Sequence, residues 1–519
     1  MSLLDVRGLT VAFGSAAPVV RGVTFSVDEG ECVALVGESG SGKSVTARSL
    51  LGLAGRNAVV RADRLEITGQ DARRYSERQW RAVRGRRIGL VLQDAMVSLD
   101  PLRPIGREIA EAGGISTADP RVTRLLTEVG VPEPDVRRAQ YPHQLSGGLR
   151  QRALIASALA AEPRLLIADE PTTALDVVTQ AQILRLLAKL TAAGRGLVLI
   201  SHDLAVVSAL ADRVLVMRRG EVVESGPAHA LLSAPAHPYT RELVDAVTVH
   251  PRPLAARGTR PVVLRGEGLG RSYGTRRALD DVSFTVREGE ALGVVGESGS
   301  GKTTLARITM GLLAPDQGEV SLDGRPWSRL TERERRPLRS TIQLVPQDPY
   351  AAFDPRFTVG RVIGEGLPPG LGRAARRARL VELLKRVGLD ESLLGRRPHQ
   401  LSGGQRQRIA IARALAPGPK VLVCDEPVSA LDASVRAQII ALLDRLCHDD
   451  GVALVFITHD LGVVQRIADH IVVMKDGRVV ERGPTDAVFA DPRHEYTRAL
   501  ISAMPSSDPA VPFEPLRGE

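Results

Sequence analysis

The chain has 519 residues, and 43% of them are hydrophobic. At about 150 residues per domain this length predicts at least two domains, and the apolar content excludes global disorder. The formal net charge of +9 fits a nucleic-acid or anionic-membrane partner. The basic residues are dispersed along the chain, however, which favours a solvated basic surface.

Three cysteines, Cys32, Cys424 and Cys447, show neither metal-ligand spacing nor a disulfide pattern. Cys32 and Cys424 lie in apolar runs, where burial is expected. The N-terminal sequence does not resemble a signal peptide, and no apolar stretch reaches the roughly 18 residues that would span a bilayer. We therefore expect a protein of a reducing compartment that is soluble or reaches a membrane through a partner.

In chain order, the first feature is Phe13, a single aromatic residue in polar surroundings. It lies 30 residues before Lys43 (43 − 13 = 30), which suits a stacking platform for adenine. Core packing is the alternative. An apolar run at 33–37 then predicts a buried parallel strand that ends at a glycine-rich loop, GESGSGKS.

This loop has the Walker A pattern GxxxxGK[ST], in which backbone N–H groups surround phosphates. Lys43 is expected to reach the β- and γ-phosphates of ATP, and the Ser44 hydroxyl is expected to hold Mg²⁺. The predicted phosphate cradle consists of Gly37, Glu38, Ser39, Gly40, Ser41, Gly42, Lys43 and Ser44.

A second apolar run ends at Gln93, 50 residues after Lys43 (93 − 43 = 50). A glutamine there can contact the metal or the water at the γ-phosphate, and it can move with the segment that follows. That segment is rich in charge, and its pattern predicts a helical subdomain between the glycine loop and the next strand.

The apolar run LLIAD predicts a strand that ends in Asp169 and Glu170. We expect Asp169 to hold Mg²⁺ through water and Glu170 to polarise the water that attacks ATP. A third apolar run at 197–201 precedes His202, which we interpret as a γ-phosphate contact rather than a structural histidine.

The second half of the chain repeats these features at a nearly constant offset. The offset is 259 at the Walker lysines (302 − 43), 256 at the glutamates (426 − 170) and 257 at the histidines (459 − 202). A tandem duplication follows. The equivalent predicted site residues, with Thr303, Gln347 and Asp425 as metal contacts, are Tyr273, Gly296, Glu297, Ser298, Gly299, Ser300, Gly301, Lys302, Thr303, Gln347, Asp425, Glu426 and His459.

The repeat also sets the domain limits. We predict α/β domains at 1–250 and 263–504, a linker at 251–262 and a flexible tail at 505–519. The linker prediction rests on the Pro/Arg/Gly-rich stretch HPRPLAARGTRPV at 250–262.

One polar phrase occurs twice, as HQLSGGLRQR at 143–152 and as HQLSGGQRQR at 399–408, with Leu149 against Gln405 as the one difference. Each phrase lies between a Walker A loop and an Asp-Glu strand, where it resembles the signature of ATP-binding cassette (ABC) ATPases. The resemblance covers nearly the whole chain. It implies an α/β protein of two tandem P-loop NTPase domains, each with a RecA-like core and a helical subdomain.

In ABC ATPases two cassettes dock head to tail, so that each ATP lies between the Walker motifs of one cassette and the signature of the other. The resemblance therefore implies a site one that joins Lys43 to the second signature and a site two that joins Lys302 to the first. TALD and SALD match the family's D-loop, which implies that Asp176 and Asp432 communicate across the interface. The implied signature contacts are Ser146, Gly147, Gly148, Ser402, Gly403, Gly404 and Gln405.

Both sites keep the lysine, glutamate and histidine, so both are predicted to hydrolyse ATP. Leu149 removes one side-chain amide from site two. The loss of one hydrogen bond, on the order of 1 kcal/mol, predicts a mild difference in ATP affinity between the two sites.

Two further pairs of repeated segments resemble the oligopeptide/dipeptide permease group of ABC importers. One pair follows the glutamines, at 93–106 and 347–360, and the other is HPYTRELVDAV at 237–247 and HEYTRALISAM at 494–504. Read without that resemblance, Thr240 and Thr497 would suit the N-caps of two helices.

The resemblance implies the ATPase subunit of a bacterial importer, with di- or oligopeptides as the favoured cargo. ATP and Mg²⁺ are the implied ligands, and two transmembrane permease subunits at the cytoplasmic face of the membrane are the implied direct partners. An extracellular substrate-binding protein is an indirect partner, and no nucleic acid is expected. Importers of nickel, metal chelates or glutathione remain alternatives.

An ABC-F translation factor is less favoured, because the join between the halves is short. Because no cysteine lies between 33 and 423, we expect no iron–sulfur centre of the kind that many cassettes of the peptide group carry.

Overall fold

The continuous apolar runs next to the two glycine loops form the centres of two parallel sheets. The structure, a computed structural model, describes residues 2–93, 95–173, 175–247, 260–429 and 431–504. These residues form two matched halves, which we call cassette one (2–247) and cassette two (260–504).

The strands of cassette one form a core sheet and a separate antiparallel sheet. They are β1 (Ser2–Phe13), β2 (Val20–Asp28), β3 (Cys32–Val36), β4 (Ala58–Arg61), β5 (Arg64–Ile67), β6 (Gln70–Asp71), β7 (Ile88–Val91), β8 (Leu165–Asp169), β9 (Gly196–Ile200), β10 (Arg213–Arg218) and β11 (Glu221–Pro227). The core order is β11-β10-β3-β9-β8-β7, parallel except for β11, and the other sheet has the order β2-β1-β5-β6 with β4 paired to β1.

Cassette two repeats this arrangement. Its strands are β12 (Val262–Tyr273), β13 (Arg276–Arg287), β14 (Ala291–Val295), β15 (Gln317–Leu322), β16 (Arg325–Pro326), β17 (Ile342–Val345), β18 (Val421–Asp425), β19 (Ala453–Ile457), β20 (His470–Lys475) and β21 (Arg478–Pro484). The core order is β17-β18-β19-β14-β20-β21, and the antiparallel order is β13-β12-β15-β16.

In the described residues nine helices correspond between the halves, and cassette one has two further helices of four residues each. Those of cassette one are α1 (Lys43–Ser49), α2 (Glu77–Val83), α3 (Ala95–Ser98), α4 (Ile105–Gly113), α5 (Pro120–Glu128), α6 (Pro134–Arg137), α7 (Gly147–Leu159), α8 (Val177–Ala192), α9 (Leu204–Leu210), α10 (Ala228–Ser233) and α11 (Pro238–Val247). Those of cassette two are α12 (Lys302–Thr309), α13 (Glu332–Arg335), α14 (Val359–Gly364), α15 (Arg373–Arg386), α16 (Gly403–Leu415), α17 (Ala433–His448), α18 (Leu461–Ile467), α19 (Thr485–Ala490) and α20 (Glu495–Ser502).

The strands that lead to the site have the pattern expected of a covered parallel sheet. Every residue of β3, β8 and β9 is buried, which is why each appears in the sequence as an unbroken apolar run. These strands agree to within one residue with the predictions at 33–37, 165–169 and 197–201. Cys32 and Cys424 are fully buried, as predicted.

The segment between the Walker A loop and β8 contains more than helices. It supplies β4, β5 and β6 to the antiparallel sheet and β7 to the core sheet, and the helical subdomain itself consists of α3 to α7. β7 is the apolar run that precedes Gln93, whereas β4, β5 and β6 are only two to four residues long, which is too short for an apolar pattern to predict them.

The two cassettes contact each other through their C-terminal helices. Helix α11 of cassette one packs on α17, and α20 of cassette two packs on α8. Val177, Ala181 and Ala503 are buried together at the second of these contacts. Each extension therefore holds the helix that follows the D-loop of the other cassette.

The predicted linker lies mostly outside the described residues, and so does the predicted tail at 505–519. Strand β12 begins at Val262, so regular structure of cassette two starts one residue before the predicted limit of 263. Among the described residues, none of the helices combines the length and the apolarity needed to cross a membrane.

Candidate ATP sites

Each Walker A loop folds tightly around its own lysine. Gly37, after β3, has a φ of 146°. A Cβ atom at Gly37 would lie 2.2 Å from the carbonyl oxygen of Met217, so only glycine fits. Lys43 Nζ donates to the carbonyl oxygens of Gly37 and Glu38 at 2.7 and 2.9 Å. The loop at 296–303 repeats these contacts.

Both Walker lysines are buried cations near carboxylates. Burial lowers the pKa of Lys43, and the negative charge of Glu170 acts in the opposite direction. Burial also lowers the pKa of Lys302, against the charge of Glu426. Phosphate groups bound in these loops would add negative charge and favour the protonated lysine further.

The predicted metal ligands of cassette one lie together. Ser44 Oγ donates to Asp169 Oδ1 at 3.0 Å. Burial raises the pKa of Asp169; the hydrogen bond from Ser44 opposes this effect and the charge of Glu170 adds to it. In cassette two, burial and the charge of Glu426 raise the pKa of Asp425. A hydroxyl and a buried carboxylate are the hard oxygen donors that suit Mg²⁺, which would offset the adjacent negative charges.

The carboxylate of Glu170 collects side chains from the ends of neighbouring strands. Gln93 Nε2, after β7, donates to Glu170 Oε2 at 2.8 Å. His202 Nδ1, after β9, lies 3.0 Å from Oε1. Thr173 Oγ1 donates to Oε2 at 3.1 Å. The structure therefore brings the predicted glutamine, glutamate and histidine together.

Cassette two assembles the same group. Gln347 Nε2 donates to Glu426 Oε2 at 2.9 Å, and His459 Nδ1 lies 3.0 Å from Oε1. The two copies agree within 0.1 Å in both distances, but Ser429, the equivalent of Thr173, donates to the carbonyl oxygen of Glu426 and not to its carboxylate.

Both glutamates hold a backbone conformation that is rare for residues other than glycine. The φ angle is 50° at Glu170 and 46° at Glu426. The N–H group of Glu170 donates to the carbonyl oxygen of Ile200 at 2.9 Å, beyond the last residue of β8. Such conformations cost of order 1–3 kcal/mol and concentrate at functional sites, which fits a catalytic role for these carboxylates.

The histidine of each pair lowers the pKa of its glutamate. Burial would raise the pKa of Glu426, but the hydrogen bond and charge of His459 outweigh it and lower the pKa. His202 lowers the pKa of Glu170 in the same way. Burial would lower the pKa of His459, and Glu426 raises it on balance. Both carboxylates are therefore ionised near neutral pH and available as proton acceptors.

The two predicted adenine platforms differ in their surroundings. Tyr273 is 47% exposed and lines the cleft that contains Lys302. The guanidinium carbon of Arg271 lies 5.4 Å from its ring centroid. Phe13 ends β1 beside Gly55 and is partly buried. Tyr273 is accessible from the cleft, and stacking of adenine on Tyr273 or on Phe13 stays a prediction.

Each signature phrase starts a helix. Ser146 Oγ accepts from the N–H group of Leu149 at 3.4 Å, and Ser402 Oγ accepts from that of Gln405 at 3.3 Å. Gln405 Oε1 also accepts from the N–H group of Ser402 at 3.1 Å, which completes a capping box. Leucine cannot make this bond, so the amide absent at Leu149 is one that caps a helix.

The second glycine of each signature is required by packing. A Cβ atom at Gly148 would lie 2.4 Å from Cγ2 of Thr179, and one at Gly404 would lie 2.4 Å from Cγ1 of Val435. The signature helix of each cassette therefore lies directly on the helix that follows its own D-loop.

The D-loop aspartates have a local and a long-range role. Asp176 and Asp432 each accept a hydrogen bond from a backbone N–H group in the first turn of the following helix. Their charges also reach the other cassette. Burial dominates the pKa of each Walker lysine, but Asp432 raises the pKa of Lys43 and Asp176 raises that of Lys302.

Head-to-tail pairing is present in part. The cleft beside Lys302 is lined by Thr173 and Asp176 from cassette one and by residues of cassette two that include Gly403. In the described part of the chain, residues 146–148 are not among those that line it. The opposite D-loop has reached the site while the opposite signature has not, so the composite sites stay a prediction for the ATP-bound state.

Sequence analysis missed two contacts of the Walker A loops. The backbone N–H groups of Glu38 and Glu297 donate to the hydroxyl oxygens of Tyr239 and Tyr496, both at 3.0 Å. The recurrence of HPYT and HEYT was a signal that these tyrosines matter, but it does not reveal their target. The other contact crosses the interface, where Ser434 Oγ donates to Glu38 Oε1 at 2.8 Å.

Thr240 and Thr497 do not cap helices, which excludes the alternative interpretation of these segments. Both threonines are buried inside helices α11 and α20. The histidine two positions before each tyrosine takes the role, because Nδ1 of His237 and of His494 accepts from the tyrosine N–H group at 3.1 Å.

Comparison with known families agrees with this geometry. Residues 20–173 and 279–429 match the ABC transporter family. The chain therefore belongs to the ABC transporter family. Residues 223–280 and 480–519 also match the C-terminal region of oligopeptide/dipeptide transporters, which contains the tyrosines that contact the Walker A loops.

The curated relatives cover nearly the full length. The chain is 44% identical to the peptidoglycan transport ATP-binding protein YejF of Agrobacterium fabrum, over 96% of each chain. It is 43% identical to the glutathione import ATP-binding protein GsiA of Salmonella choleraesuis, over 98% of this chain and 90% of that protein. These matches confirm the prediction of an ATP-hydrolysing subunit of an ABC importer.

A solved structure that contains archaeal ribosome recycling factor aABCE1 and ribosomal stalk protein aP1 is similar over 91% of this chain and 88% of that chain. Its TM-score is 0.65 and its sequence identity is 21%. At that identity the likeness concerns the fold alone, and it agrees with the two tandem ATPase domains predicted from the sequence.

We expect His459 to hold its proton to a pH above its ordinary pKa of 6.5, because Glu426 stabilises the imidazolium. The contribution of the ionised Glu426 to the stability of the fold is lost as the pH falls through the pKa of Glu426, which lies below its ordinary value of 4.5. The contribution of the protonated His459 is lost as the pH rises through the pKa of His459, which lies above its ordinary value of 6.5. An NMR titration of wild type and Glu426→Gln should show the pKa of His459 falling towards its ordinary value.

His448 is the internal control for that titration. It pairs with Asp444 and Asp469, and its pKa is also raised, so it should not respond to Glu426→Gln. An unchanged pKa at His459 in the variant would contradict the assignment of its proton to this ion pair.

Leu149→Gln should complete the capping box of α7 in the way that Gln405 completes that of α16. One hydrogen bond of about 1 kcal/mol predicts a rise of several-fold in the ATP affinity of site two. Titration with ATP measures site two when Lys43 of site one is replaced, and it measures site one when Lys302 of site two is replaced. The reciprocal Gln405→Leu should weaken site one, and unchanged affinities in both variants would mean that the difference is neutral.

Proposed function

We propose that the chain energises the import of di- or oligopeptides through two transmembrane permease subunits, from the cytoplasmic face of the membrane. The observation that carries the proposal is the contact between each C-terminal tyrosine and its Walker A loop. The segment that matches peptide transporters is thereby part of the ATP site and not an independent appendage.

The lysines and glutamates have distinct roles in this proposal. Lys43 and Lys302 exchange their loop carbonyl partners for the β- and γ-phosphates of ATP. Glu170 and Glu426, held by the adjacent glutamine and histidine, accept a proton from the attacking water. The histidines then stabilise negative charge near the γ-phosphate, in agreement with the raised pKa of His459.

Ser44 with Asp169, and Thr303 with Asp425, are the residues that would hold Mg²⁺. Bound there, the ion would supply positive charge that offsets the negative charge developing on the phosphates during transfer. The hydrogen bond between Ser44 and Asp169 supports the proposal, because it already joins the two oxygen donors of site one.

Closure of the two cassettes is the step that couples ATP to transport. The opposite D-loop already lines the cleft beside Lys302, and closure adds residues 146–148 to it. By the same movement, residues 402–404 join the Walker residues of cassette one. Gln93 and Gln347 lie where the helical subdomain of each cassette begins. When ATP stabilises the closed state, the subdomains move with these glutamines, and this movement is transmitted to the permeases.

Glutathione is the second candidate cargo, and the relative from Salmonella choleraesuis favours it at 43% identity over 98% of this chain. Glutathione is a tripeptide, so it belongs to the same chemical class as the favoured cargo. The extracellular binding protein and the permeases select among such peptides, and these are separate chains.

The cargo is tested by reconstituting the chain with its permease pair in vesicles. Binding protein loaded with a di- or oligopeptide should raise ATP turnover and move the labelled peptide into the vesicle. Stimulation by a nickel chelate and not by any peptide would overturn the peptide assignment. Stimulation by glutathione alone would establish the second candidate.

In the same complex, Glu170→Gln and Glu426→Gln should each lower steady-state ATP turnover, because both cassettes hold a complete glutamine, glutamate and histidine group. General base catalysis contributes about 10²- to 10⁴-fold at a single site. Glu128→Gln, at an exposed position of α5, is the control and should keep wild-type turnover. Wild-type turnover in either active-site variant would mean that this site does not hydrolyse ATP.

A further inference from the structure

The second residue of each Walker A loop is held by the C-terminal extension of its own cassette. The N–H groups of Glu38 and Glu297 donate to Tyr239 and Tyr496 at the same distance of 3.0 Å. Both tyrosines are buried. At the level of the backbone, therefore, the two loops are anchored equally.

The side chains of these glutamates are not anchored equally. Ser434, in the first turn of α17, is 6% exposed and donates to Glu38 Oε1 at 2.8 Å. The same hydroxyl lies 3.2 Å from Oδ1 of Asp432, the D-loop aspartate of cassette two. Ser434 thus joins the Walker A loop of one cassette to the D-loop of the other.

Site two has valine where site one has serine. Val178 is the equivalent of Ser434, at the same offset as the D-loop aspartates (434 − 178 = 256 and 432 − 176 = 256). It packs against the apolar cluster that includes Tyr496 and Leu500. A valine side chain has no donor, and among the described residues the Glu297 carboxylate accepts no hydrogen bond from cassette one.

The charge around Glu297 differs accordingly. Burial raises the pKa of Glu297, and the charge of Asp176 from the opposite D-loop raises it further. In site one, Ser434 lies between Glu38 and the equivalent aspartate and donates to the glutamate. Carboxylates lie near each other across both contacts, and in the part of the chain that the structure describes a hydroxyl lies between them in site one and not in site two.

We propose that Ser434 is a positioning residue that holds the Walker A loop of cassette one across the interface, and that Val178 leaves site two without this contact. The proposal rests on the proposed function, in which both sites bind ATP between the cassettes. Site one then stays docked and binds ATP more tightly, because less ordering of its loop remains when the nucleotide arrives. Site two is the one that opens first.

The sequence difference at Leu149 acts in the same direction, since the weaker signature also belongs to site two. The two effects lie in different motifs, one in the signature helix and one beside the D-loop. They are separated by changing Ser434 and Val178 while Leu149 stays as it is.

The test measures ATP affinity at each site of the purified full chain, without permeases or cargo. A fluorescent ATP analogue reports on site one when Lys302→Ala disables site two, and on site two when Lys43→Ala disables site one. Ser434→Val should weaken site one by about tenfold, the factor for the loss of one hydrogen bond to a charged group. It should leave site two unchanged.

Two further variants separate positioning from a general loss of structure. Ser434→Thr keeps the hydroxyl and should retain the wild-type affinity of site one. Val178→Ser supplies the missing donor and should raise the affinity of site two towards that of site one. Melting temperatures of all variants give the control, because a merely structural role would move stability and both affinities together.

Equal affinities in the wild type, or an equal effect of Ser434→Val on both sites, would overturn the proposal. Either result leaves peptide-stimulated turnover in the reconstituted complex unaffected. Conversely, unequal affinities that respond to Ser434→Val would stand even if no peptide stimulated the complex. The outcomes for the inference and for the proposed function are therefore distinguishable.

Discussion

The adjacency of three parallel strand ends is the constraint on which each ATP site depends. β3 lies beside β9, and β9 beside β8, so the Walker A loop, the histidine and the glutamate emerge at one edge of the sheet. Loops at the carboxyl ends of parallel strands bind ligands in many α/β proteins for this reason. The left-handed backbone at Glu170 is tolerated there because the carboxylate gains three hydrogen-bonded neighbours.

The second constraint is the contact between the cassettes, because the proposed function completes each ATP site with residues of the other cassette. The charges of the D-loop aspartates already reach the opposite Walker lysines, and the C-terminal helices hold the two cassettes at this distance. The signature of one cassette still lies on its own D-loop helix, through the close contact at Gly148. In the proposed function, an approach of the helical subdomains is what remains for closure, which would divide the cycle into a docked stage and a closed stage.

The site residues that could be predicted are those whose chemistry requires a motif. Lys43, Glu170 and His202 follow apolar runs that end at one sheet edge, and the duplication doubled the evidence for each. The contacts of Tyr239 and Ser434 could not be predicted in this way. Tyr239 lies 201 residues from its partner Glu38, and Ser434 lies 396 residues from it, so no local pattern connects them. The caps at His237 and His494 were missed because several residue types can fill an N-cap.

The sequence by itself determined the duplicated ATPase cassettes, and it predicted a set of catalytic groups in each of them. It did so because phosphate binding and water activation demand particular residues at fixed spacing after buried strands. Only the tertiary structure decided how the two cassettes meet and which contacts differ between the sites. In the sequence, Ser434 and Val178 are simply different residues at equivalent helix positions. Only the folded structure shows that Ser434 lies against Glu38, and that Val178 provides no such contact to Glu297. A hydrogen bond across an interface depends on distance in space, and that distance is fixed by the packing of whole helices.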